Sequence, residues 1–222
     1  LPQITLDKLD TLKTLLATLN NDVLNQTAQL FQVLRQWLDG VDDQIYEWQT
    51  CYKVPARLFE NLASLKNEIG SFPVRAFYSG RKLDGGAGHE QPLALLLVEK
   101  IGELGDEEIC RYTIYGDAWD WAHPVCRIQL KAMTRLIDKI YESPVPLYCV
   151  ASDVLEKVRA GKCVPKPYLK GSPLTEPSLE DYALSAQETA QSKETDELPH
   201  VLEYIKKQNL ENIIKRIMGG TV

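Results

Sequence analysis

Phe72-Pro73-Val74-Arg75-Ala76-Phe77-Tyr78, Leu93-Ala94-Leu95-Leu96-Leu97-Val98 and Glu108-Ile109-Cys110-Arg111-Tyr112-Thr113-Ile114-Tyr115 decide the fold. Each reads as a strand. The first has apolar residues on both faces, and Pro73 restricts it to a strand start or an edge, because proline cannot donate to a ladder. The second is an unbroken apolar run, so both faces must be covered and it is the central strand. The third is rich in β-branched and aromatic residues. A long glycine-rich connection, Gly80 to Gly88, and a short one, Gly102 to Asp106, join them. The expectation is an α+β fold with a small antiparallel sheet of three to four strands flanked by helices. Leu147 to Ala151 is the candidate fourth strand, at an edge.

Upstream, Leu9, Leu16, Val23, Leu30 and Trp37 are seven apart, and Leu12, Leu19, Gln26 and Val33 form a second seam. That repeat predicts one long amphipathic helix over Leu6 to Leu38. The alternative is a helical hairpin broken at Asn20-Asn21-Asp22, residues that favour caps and turns. Gly40 is the expected stop. Ile45 to Tyr52 is ambiguous between helix and strand. Pro55 to Ile69 reads as a helix with proline in its first turn and Gly70 after its end.

Downstream, Pro124 opens a helix to about Tyr141 on the face Val125, Ile128, Ala132, Leu136 and Ile140. Asp153 to Glu156 has capping-box spacing for a short helix ending at Gly161. Residues 164–197 carry repeated prolines and acidic residues, and are expected to be a mobile linker. Leu198 to Met218 is helical again, with a phase shift at Asn209. The organisation expected is therefore a helical region over 1–40, an α+β core over 41–163, a linker over 164–197 and a C-terminal docking helix over 198–222.

Composition excludes little. The chain has 222 residues, 44% of them hydrophobic, and a net charge of −6. This length supports a core that needs no disulfide or metal staple. The acidic balance argues against a wholesale nucleic-acid coat. The five cysteines contain no CxxC pair, which suits a reducing, cytoplasmic compartment. No apolar run is long enough to span a bilayer, and Leu1 to Leu9 has no signal-peptide core.

No stretch carries a self-identifying catalytic signature. Arg81 to Glu90 has the glycines and bases of a phosphate cradle, but lacks the P-loop spacing and is followed by a strand rather than a helix. Asp117, Asp120 and His123, with His89, are the only metal-ligand grouping. The chain has three histidines, and none is paired at i, i+4. Cys110 or Cys126 near His123 is the one conceivable thiol–imidazole pair. No cofactor and no metal is expected. Arg127, Lys131 and Arg135 recur every fourth residue on the helix face away from Ile128 and Leu136. Such a stripe either tracks a phosphate backbone or is a solvated face. Lys157, Arg159, Lys162, Lys166 and Lys170 add a second basic run.

A helical front, followed by Pro73-Val74-Arg75-Ala76-Phe77-Tyr78 and then Glu108 to Gly116, resembles accessory subunits of type III CRISPR effector complexes. The resemblance covers the sheet alone and transfers no functional residue. It implies an RNA-contacting accessory subunit of a ribonucleoprotein. The residues themselves favour a non-enzymatic accessory or structural subunit that binds other macromolecules within an assembly. Its protein partner would be reached through the N-terminal stripe or through Leu202, Ile205, Ile213 and Ile217 of the C-terminal helix. A small enzyme with its site at the glycine-rich loop and the Asp117–His123 turn is the remaining alternative.

Overall fold

The computed structural model describes residues 11–65, 73–80, 83, 85–116, 119–170 and 197–217, without the side chains of Leu15 and Ile217. The elements are α1 (Leu12–Thr18), α2 (Asn21–Phe31), α3 (Arg35–Leu38), α4 (Ala56–Ser64), β1 (Val74–Tyr78), β2 (Leu93–Leu104), β3 (Glu107–Tyr115), α5 (Pro124–Tyr141), β4 (Leu147–Cys149), α6 (Ser152–Arg159), a 3-10 turn (Lys166–Leu169), α7 (Leu198–Lys207) and α8 (Leu210–Ile217).

The fold is α+β, with a four-stranded sheet ordered β3-β2-β1-β4. β1, β2 and β3 pair antiparallel, and the register of β2 against β3 shifts between Lys100 and Gly102. β4 joins β1 in parallel, so the sheet is mixed rather than antiparallel throughout. The cause lies in α5. Its 18 residues carry the chain back along the sheet after β3, so β4 must run in the direction of β3. Pro73 immediately precedes β1, the strand start its chemistry allows.

The pleat of β2 divides the core in two. Leu93, Leu95 and Leu97 face one side, where Leu58 and Phe59 of α4, Leu130 and Met133 of α5, and Val201, Ile205, Leu210 and Ile214 of the C-terminal helices meet them. Ala94 and Leu96 face the other, with Ile45, Tyr46, Leu155 and Val158. This is why an unbroken apolar run was needed: helices cover both faces. α7 and α8 are therefore built into the main core of the chain.

Several local readings change. The N-terminal helix is not continuous. Asn20 is extended (φ −82°, ψ 174°), and its side chain accepts from the Val23 N–H at 3.0 Å, capping α2. The local capping preference of Asn overrides the heptad phase. Gly40 does stop the segment, at φ +71°. Residues 45–52 are neither helix nor strand. The Ile45 and Tyr46 N–H groups donate to the Gly161 carbonyl, and Gln49 forms a single parallel bridge with Tyr115. α6 is capped by Ala151, which makes no side-chain bond, while Asp153 lies in its first turn and acts there through the helix dipole. α7 and α8 separate at Asn209, which takes the left-handed conformation (φ 54°). Among the described residues, no helix is long and apolar enough to cross a membrane. The linker expected over 164–197 lies largely outside the described residues; its first residues form the 3-10 turn.

Candidate functional site

The basic stripe of α5 is placed where the sequence reading did not put it. Arg127 and Lys131 are 7% and 1% exposed, beneath the start of α7. Glu197, the residue before α7, accepts from Arg127 Nη2 at 2.7 Å, from Arg127 Nε at 3.0 Å and from Lys131 Nζ at 2.8 Å. Arg127 Nη1 donates to the carbonyls of Trp121 (2.7 Å), Ala122 (3.3 Å) and Gly85 (3.3 Å). Lys131 Nζ lies 5.4 Å from the centre of the Trp121 ring. Spacing of i, i+4 put both cations on one face of α5; that face turned out to be the one α7 covers. Burial on its own would raise the Glu197 carboxyl. Hydrogen bonds from Arg127 and Lys131, together with their charges, outweigh it and hold the group below the usual carboxylate range. The arrangement is a bidentate guanidinium clamp with a second cation, able to hold one carboxylate. Arg135 is half-buried. Phosphate contact through Arg127 and Lys131 would require both to face solvent, and they do not.

The glycine-rich loop meets this cluster. A Cβ on Gly85 would stand 2.9 Å from Arg127 Cζ, so a side chain there would have to displace the guanidinium. The Gly85 carbonyl of the loop thus serves as an acceptor for a cation. Arg81, Lys82 and Asp84 lie outside the described residues, as does Asp117. Asp120 Oδ1 accepts from the Gln91 N–H at 2.8 Å and from the Ala122 N–H at 3.0 Å, fixing the turn to the start of β2. His123 caps α5, its Nδ1 accepting from the Cys126 N–H at 3.5 Å. The Cys126 thiol donates instead to the Tyr52 hydroxyl at 3.7 Å. His89 is exposed. Among the described residues, no three His, Cys, Asp or Glu side chains converge on a point. Trp119 and Trp121 are fully buried, and Trp119 packs edge-on to Tyr52 at 5.2 Å. Among the described residues, no disulfide joins the five cysteines.

Of the residues expected to receive a partner at the C-terminus, Ile205 is buried and Ile213 packs on the core. Leu202 alone is open, at 48% exposure, and the Ile217 side chain lies outside the described set. The amphipathic stripes of α7 and α8 were read correctly as apolar faces, but their partner is this chain's own α4 and α5. The N-terminal stripe behaves differently. Leu12, Leu16, Leu19 and Leu30 are 71%, 60%, 37% and 38% exposed, while Val23 in the same phase is buried. The stripe thus enters the core at Val23 and lies open before it.

A polar cleft escaped sequence reading. It encloses about 490 Å³ between α2, α4 and β3, and is lined by the carboxamides of Gln29, Gln32, Gln49 and Asn61. Arg111 Nε donates to Glu99 at 2.7 Å across its floor. Pairing the two strands in register would have placed Glu99 opposite Arg111. The amides come from distant segments and share no periodicity. No family model matches the chain, and neither a curated protein nor a solved structure matches it significantly.

Proposed function

We propose that this chain is a non-enzymatic subunit that binds another protein within an assembly, through the leucines of α1 and the start of α2. The observation that carries this reading is the exposure of Leu12, Leu16 and Leu19 at 3-4 spacing. Isolated exposed leucines are ordinary on a protein surface. Leu12 and Leu16 lie one turn apart on α1, and with Leu19 just beyond its end they form an open apolar strip that gains stability when a second apolar surface covers it. Such a partner presents a helix with leucine-like residues at the same spacing.

Two other readings lack this support. An RNA-contacting subunit would draw on Arg127 and Lys131, whose charged ends are engaged by Glu197. A small enzyme would draw on Asp120 and His123, of which Asp120 Oδ1 and His123 Nδ1 each accept from a backbone N–H. The test is Leu12→Asp with Leu16→Asp. Both positions are exposed, so thermal stability should stay within about 0.5 kcal/mol of wild type. Co-purification from the native host, with nuclease treatment as a control, should lose its protein partner. A partner retained by the double variant, or one released from wild type by nuclease alone, overturns the reading.

A further inference from the structure

β3 is an edge strand, with β2 as its one neighbour in the sheet. The Val98 N–H donates to the Pro73 carbonyl, on the β1 side of β2. Backbone groups alternate from side to side along a strand. Leu97 and Glu99 therefore bond Thr113 and Arg111 opposite them, and the N–H and C=O groups of Cys110 and Tyr112 point away from β2. The Glu108 carbonyl has the same phase, and it accepts from Lys166 Nζ at 2.8 Å. At the other end, Gln49 bridges to Tyr115. The outer edge of β3 is thus closed at both ends by this chain, while between them the backbone groups of Cys110 and Tyr112 have no partner among the described residues. Tyr112 is 5% exposed, and buried backbone groups are rarely left unpaired.

The polar cleft lies along this open stretch. Arg111 to Ile114 line it, about 13 Å of strand at the usual rise. Its walls differ in the way the pleat requires. Asn61 and Ser64 of α4 stand on the face of Thr113 and Tyr115, where Asn61 Nδ2 donates to the Tyr115 hydroxyl at 2.6 Å. Val33 and Tyr46 stand on the face of Tyr112, whose ring Tyr46 meets edge-on at 6.3 Å. Donors and acceptors repeated at alternate residues match another extended backbone, a period that a compact molecule does not carry. We propose that the cleft receives an extended segment of a partner polypeptide, which joins the sheet as a fifth strand beside β3. The side chains of that segment alternate, polar toward α4 and apolar toward Tyr112. This site is separate from the α1 leucines, and either reading can fail without the other.

The probe is the peptide acetyl-Thr-Val-Thr-Val-Thr-amide, titrated into the full chain and followed by nuclear magnetic resonance of the protein amides. Wild type should bind it saturably, with the Cys110 and Tyr112 amide signals shifting. Along an added strand, every second peptide N–H faces β3. N-methylation of the peptide residues of one parity should therefore weaken binding by about tenfold or more, the worth of the main-chain hydrogen bonds lost, while N-methylation of the other parity should leave it within about threefold. Ser64→Trp, or Gln29→Trp should the first variant fail to fold, places a ring in the cleft from an exposed position and should abolish binding with the circular dichroism spectrum unchanged. No binding to wild type overturns the proposal. So does an equal response to the two methylation patterns, or full affinity in a folded tryptophan variant.

Discussion

Glu197→Ala is the substitution with the largest expected effect on stability. The carboxylate is the shared partner of two cations, Arg127 at 7% and Lys131 at 1% exposure. Its removal leaves Arg127 with the carbonyls of Trp121, Ala122 and Gly85 as acceptors. A carbonyl does not neutralise a charge. Breaking one side of a buried pair costs about 3–5 kcal/mol. The Glu197 side chain is 13% exposed, so some water reaches the site and the lower end, about 3 kcal/mol, applies. Against a typical domain stability of about 5–15 kcal/mol, that is a large fraction. Urea unfolding followed by circular dichroism should show the midpoint falling by about 1.5 M, at a slope near 2 kcal/mol per M. The pH dependence has a fixed sign. The folded carboxyl titrates below its unfolded value of about 4.3, so its stabilisation is complete above that value and is lost as the pH falls through the depressed one. Wild type should therefore approach Glu197→Gln in stability as the pH falls below the unfolded value of about 4.3 and through the depressed one. A loss below about 0.5 kcal/mol at neutral pH, the worth of a surface pair, would refute the buried-clamp argument.

Gly116→Ala should destabilise by at least about 1–3 kcal/mol, because the new Cβ would lie 1.9 Å from the Arg159 carbonyl oxygen and backbone must move; thermal unfolding measures it, and an unchanged midpoint refutes it. A chain ending at Asp196 loses Val201, Ile205, Leu210 and Ile214, all buried against α4, α5 and the sheet. At about 1.5–3 kcal/mol each, an upper estimate, this matches the whole stability of a domain. Cooperative unfolding should disappear; a truncated chain that melts like wild type would restore the separable docking helix.

What the sequence determined by itself was whatever has a short period. The apolar continuity of Leu93 to Val98 identified a strand covered on both faces, and proline, glycine and asparagine at Pro73, Gly40 and Asn209 marked a strand start, a stop and a break. These signals are local, because a strand repeats every two residues and a helix every 3.6. The heptad phase of the N-terminal stripe was legible too, and so was the alternative of a break at Asn20-Asn21-Asp22; which of the two prevails was not, since the Asn20 cap competes with the period and wins. Tertiary structure alone decided where the faces went. Arg127 and Glu197 are 70 residues apart, and no pattern in either segment announces the other. Spacing placed Arg127 and Lys131 together on α5, but only the docking of α7 made that face an interior. In the same way, the apolar faces of α7 and α8 were plain, yet whether they met a partner or their own core depended on the space between α4 and α5. Burial is a property of the assembled chain, and a charge on a helix face becomes surface or core according to what packs over it.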